Sequence, residues 1–146
     1  MLIESLMVVA AIGFAAEQAQ AVPAEKAKAE RPKEVALFPV EHEILRHTNA
    51  QRKRNGLPPL VIDAKLVETA RKHAFWMASA HTLQHAHGNW AENIAQGQTS
   101  ASHAVTSWMN SSGHRANILN RRHRRIGVAG YTSPRGDIFW CQQFLD

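Results

Sequence analysis

From Phe38 onward the hydrophobic positions fall into two regimes, a helical spacing first and an alternating one at the end. Ile44, Leu45 and Thr48 mark one face of a first helix. Pro39 suits its first turn, and Glu41 and Glu43 suit the positive end of the helix dipole. Arg52, Lys53 and Arg54 occupy the last turn, with Gly56 as the stop. Asp63 is placed to cap a second helix, whose inner face reads Leu66, Ala70, His73, Ala74 and Met77. Ser100 can cap a third, with Ala101, Ala104, Val105, Trp108 and Met109 turned inward and Gly113 expected to end it. A short helix over His114–Leu119 follows. Two strands then close the chain, "RIGVAGYT" and "DIFWCQQF", joined by the turn signal "SPRG". In the second strand Ile138, Trp140, Gln142 and Phe144 share one face, and Phe139, Cys141 and Leu145 the other. Both faces are apolar, so layers should cover the sheet on both sides. Helices early and strands late predict an α+β fold, a three-layer α-β-α sandwich around a central antiparallel sheet.

The first 37 residues do not share this patterning. Residues 1–21 carry an apolar stretch from Leu6 to Ala16, too short to span a bilayer comfortably. Ala19-Gln20-Ala21 fits cleavage of an export signal. Glu4 stands where positive charge belongs, which leaves an upstream start or an atypical signal or hydrophobic anchor as the alternatives. Residues 2–13 also resemble the opening of a type IV pilin, but the polar run from Glu17 to Gln20 cuts the apolar stretch short. Residues 22–37 are charged and alanine-rich with Pro23 and Pro32, the composition of a linker. The expected division is therefore 1–21 as signal or anchor, 22–37 as linker and 38–146 as one folded domain. The expected location is secreted or in the cell envelope, with membrane contact only through an uncleaved N-terminal segment.

Composition narrows the chemistry. Of 146 residues, 45% are hydrophobic and 20% charged, which suits one globular domain with a real core. The net charge of +5 permits contact with nucleic acid, acidic glycans or lipid headgroups without requiring any of them. The basic run "RRHRR", Arg121 to Arg125, has no interleaved aromatic and no recognised reader module, so it reads as a solvated loop and no specific nucleic acid is expected. The single cysteine, Cys141, cannot form an internal disulfide and reads as a small buried residue. Nine histidines stand out, because imidazole is the commonest metal ligand. His85, His87, Glu92 and His114 are the donors within two polar stretches, "HAHGNWAENIAQG" and "WMNSSGHRANILN". A difference of two points His85 and His87 apart in an extended loop. Spacing alone does not decide which of them binds, nor whether His114 comes near. His73 reads as a satisfied core or boundary histidine.

Five ordered motifs resemble the CAP superfamily of cysteine-rich secretory proteins, antigen 5 and plant pathogenesis-related proteins. They are "TNAQRKRNGLPPL", "LQHAHGNWAENIA", "WMNSSGHRANILN", "RIGVAGY" and "IFWCQQF", the last with the pair Trp140 and Gln142. The resemblance runs from near Pro39 to the end and implies the α-β-α sandwich topology. It also implies a cavity tetrad of two histidines and two glutamates. By motif, His85, Glu92 and His114 take three of its places, and Ser111 stands where the second glutamate would be. Zinc or another divalent ion could be held by His85, Glu92 and His114, with Ser111 and Asn93 in the cleft and His87 as an outer partner.

The resemblance implies a secreted or surface binding domain with a lipid, glycan or protein ligand, and a monomer is expected. The alternative is a metal-dependent hydrolase, with Glu92 as base to a metal-activated water, or Ser111 or Ser112 as nucleophile with His114 as base. If Glu92 ligates the metal it is not free to be that base. The serine version lacks an evident oxyanion hole, so the binding reading is preferred.

Overall fold

The computed structural model describes residues 35–146. The segment expected at 1–21 and all but the last three residues of the expected linker lie outside the described residues. The elements run α1 (Pro39–Arg54), β1 (Val61–Ile62), α2 (Ala64–Ala80), β2 (Ala91–Gln96), α3 (Ala101–Asn110), α4 (Ser112–Ile118), β3 (Arg125–Thr132) and β4 (Ile138–Leu145). Among the described residues no helix is long and apolar enough to cross a membrane.

The predicted caps form. Asp63 accepts from the N–H groups of Lys65 and Leu66 at 2.9 and 3.0 Å, and the Ser100 hydroxyl from that of His103 at 3.2 Å. Gly56, at φ +68°, follows α1 in the left-handed conformation that stops a helix. Gly113 does not end α3, contrary to the expectation. Ser111 does, in extended conformation, and it also opens α4, so Gly113 lies inside that helix. One residue turns the chain between two helices, a geometry that glycine's reputation as a stop conceals.

The sheet has the order β1-β3-β4-β2. β3, β4 and β2 are antiparallel, as expected, whereas the two-residue β1 joins β3 in parallel and makes the sheet mixed. β2 is an edge strand. The two faces of β4 each find a cover. Trp140 and Phe144 pack with Ile44, Val105, Trp108 and Ile118 from α1, α3 and α4. Phe139 and Cys141 pack with Ala70, Ala74, Met77 and Ala78 of α2. Helices on both faces of one sheet are the three layers that the alternating apolar faces predict. Two small residues let α2 close on β3: Gly127 lies so near the helix that a β-carbon there would come within 2.1 Å of the Leu66 backbone, and Ala129 is its buried neighbour in that layer.

Candidate functional site

β2 pairs with β4 so that Glu92 faces Gln143 and Asn93 faces Gln142. Alternation along the strand sends these two polar pairs to opposite sides of the sheet. On the α2 side, Glu92 is the centre. Its side chain is 5% exposed. Oε1 lies 2.8 Å from His85 Nδ1 and accepts from the Ala86 N–H at 2.9 Å. Oε2 accepts from Gln143 Nε2 at 2.9 Å and from the Cys141 thiol at 3.7 Å. A carboxylate offers about four acceptor positions, and here the protein fills four. Gln143 is itself held, because Thr69 Oγ1 donates to its Oε1 at 2.6 Å. His73 Nε2 sits 4.0 Å from Glu92 Oε1 and 2.7 Å from the Gln84 carbonyl.

On the other side, Asn93 Nδ2 donates to the His114 carbonyl at 3.1 Å and to Gln142 Oε1 at 3.3 Å. Asn117 Nδ2 donates to Asn93 Oδ1 at 2.9 Å and to the Glu92 carbonyl at 3.2 Å, which ties α4 to β2. Gln142 Nε2 donates to Thr48 Oγ1 at 2.6 Å, and that hydroxyl donates to the Ile44 carbonyl. The polar network therefore reaches from α4 through the sheet to α1.

Two pKa directions follow from this placement. Burial, and then the charge of His85, push His114 below the ordinary imidazole value. Burial also pushes the Cys141 thiol up, with the Glu92 charge adding to it. Cys141 is therefore a protonated donor to Glu92, and the expectation of a small buried residue holds.

His85 and Glu92 come together directly, and Asn93 joins the α4 side of the same strand. Among the described residues no three histidine, cysteine, aspartate or glutamate side chains gather closely enough to hold a metal ion by themselves. Ser111 caps α4 without a side-chain hydrogen bond. His87 is exposed and forms no hydrogen bond among the described residues. The spacing argument missed Gln143, Asn117 and the nearness of His73. Gln143 had a signal: a polar residue in a strand apolar on both faces needs a partner.

A carboxylate accepts only, so His85 Nδ1 carries the hydrogen in that bond. The His85 side chain is 59% exposed. Orientation of an imidazole by a carboxylate is the arrangement that metal-binding histidines use. Glu92 stands in that orienting position toward His85.

The comparisons with known proteins agree with the fold. The model of the cysteine-rich secretory protein family, CAP, matches residues 45–144. The uncharacterized protein YkwD of Bacillus subtilis is 36% identical over 131 residues, covering 78% of this chain and 49% of that protein. The chain thus spans about half the length of this relative. An extracellular protein containing an SCP domain, from Bacillus anthracis, superposes with a TM-score of 0.65 at 25% identity, over 77% of this chain and 45% of that one. An outer surface protein of Borrelia burgdorferi gives 0.65 at 18% identity, over 73% of this chain and 94% of that one.

Proposed function

The chain belongs to the cysteine-rich secretory protein family, CAP, and on that footing we propose that it is an exported binding domain whose cleft at the β2 edge holds a divalent metal ion, zinc being the first candidate, between His85 and His114. The observation that carries this reading is the saturation of Glu92, whose four acceptor positions are taken by His85, Ala86, Gln143 and Cys141. A carboxylate so engaged orients an imidazole and has no free position from which to take a proton. That favours binding over the hydrolase alternative, in which Glu92 serves as base. A bound divalent cation supplies a positive anchoring point for an oxygen of the ligand, whether that ligand is a lipid, a glycan or a protein. Export is supported by relatives described as extracellular and as an outer surface protein.

Zinc titration calorimetry on the full chain tests the proposal. The wild type should bind with one-site stoichiometry, and the His85→Ala, His114→Ala double variant should release no binding heat. Glu92→Gln should weaken affinity about 10- to 100-fold, the range for an orienting partner. A folded wild type that takes up no zinc, or a double variant that binds as well as the wild type, would overturn it.

A further inference from the structure

His85 sits in an irregular connection. Between α2, which ends at Ala80, and β2, which starts at Ala91, no residue belongs to a helix or strand. An exposed loop of this kind holds a side chain in place only through the bonds that tie it down. Thr82 is tied to the end of α2, its N–H donating to the Met77 carbonyl at 3.0 Å. Glu92 ties His85 and Ala86 from the β2 side. A further tie holds the residue directly before His85, where His73 Nε2 lies 2.7 Å from the Gln84 carbonyl. A carbonyl accepts only, so the hydrogen in this contact is on His73 Nε2.

The His73 ring is itself fixed. It projects from α2, the helix that closes on β3 at Gly127, and its side chain is 11% exposed. It stacks on Trp76, one helical turn along, with ring centres 5.6 Å apart and planes 12° from parallel. Its Nε2 also lies 4.0 Å from Glu92 Oε1, the oxygen that His85 and Ala86 use. That is beyond hydrogen-bond distance. The Gln84 carbonyl takes the His73 hydrogen instead, so the two imidazoles beside this carboxylate oxygen do not compete for it.

We propose that His73 is a positioning residue for His85. By donating to the Gln84 carbonyl it fixes the 84–86 loop against α2, and by spending its hydrogen there it leaves Glu92 Oε1 to orient His85. The sequence presents His73 as a satisfied histidine on the inner face of a helix; the partner that satisfies it is what gives it this task. The consequence for zinc rests on the reading of His85 as a metal ligand, whereas the positioning itself belongs to the metal-free chain.

Nitrogen-15 spectra of the full chain without metal test it. The wild type should show His73 Nε2–H and His85 Nδ1–H signals, both protected from exchange with water. His73→Phe keeps a ring to stack on Trp76 and removes the donor. It should abolish the protected His85 signal while the indole signals of Trp108 and Trp140, bonded elsewhere, stay in place. His73→Gln, which offers an amide donor, should bring the His85 signal back. Zinc titrated into the same proteins should bind about 10-fold more weakly to the phenylalanine variant and recover in the glutamine variant. A wild type that takes up no zinc would overturn the metal reading and leave the metal-free spectra to decide this one. An unchanged His85 signal in His73→Phe would overturn the positioning role. So would a glutamine variant as poor as the phenylalanine one, which would assign the effect to the ring and not to its hydrogen. A wild-type His73 Nε2–H that exchanges as fast as free imidazole would overturn it too, and that result is read on the unaltered protein even if a variant fails to fold.

Discussion

Arg52 carries a charge into the core with no carboxylate among the described residues to meet it. It is fully buried, and its guanidinium donates to the carbonyls of Pro58, Ile118, Asn120 and His123. Four carbonyl dipoles from loops and a helix end replace its water. The planar fork is what lets one side chain reach them all, and a lysine ammonium cannot copy it. Arg52→Met should therefore lower stability by about 3 kcal/mol, since it strands buried carbonyls, and Arg52→Lys should not restore it. Urea denaturation measures both, and a wild-type midpoint for the lysine variant would sink the argument. The spacing held this information. Ile44, Thr48 and Arg52 recur every four residues and are all buried, but a basic residue in a last turn reads first as a partner of the helix dipole. Glu92 is the parallel case at the site. Its motif position was legible, whereas its four donors come from a loop and a neighbouring strand that only pairing brings near.

At the scale of elements, the contact of α2 with β3 depends on what is missing from a side chain. A β-carbon on Gly127 would lie 2.1 Å from the Leu66 carbonyl carbon and 2.3 Å from its oxygen, and both are backbone atoms that no rotamer can move. Gly127→Ala should push α2 off the sheet and destabilise by about 1–3 kcal/mol or more, the cost of overpacking. Because α2 also carries Thr69 and His73, the variant should disturb the Glu92 network as well. Differential scanning calorimetry gives the first effect, and an unchanged melting temperature would contradict it. Helix and strand types were readable here because each has its own period. The boundary between α3 and α4 was not, because Ser111 and Gly113 both suit a helix end and only the backbone chooses between them. The two-residue β1 has no period to read, and its parallel pairing depends on a strand far along the chain, Val61 standing in register with Arg125.

At the scale of the whole molecule, the sheet separates the two sides of the polar network, and β2 at its edge carries a residue of each, Glu92 and Asn93. Glu92 and His85 belong with α2, Asn93 and His114 with α4, and β2 passes between them as an edge strand. The three layers were legible from the two apolar faces of β4. The meeting of two stretches well separated in sequence was not, since spacing says nothing about which edge a loop returns to; the family resemblance supplied that expectation. The most direct test of the account is X-ray absorption at the zinc edge on the full chain loaded with one equivalent of metal. It predicts two imidazoles around each zinc with light-atom donors completing the shell and no sulfur, because Cys141 is a buried thiol turned to Glu92. A sulfur shell, or fewer than two imidazoles, would contradict it.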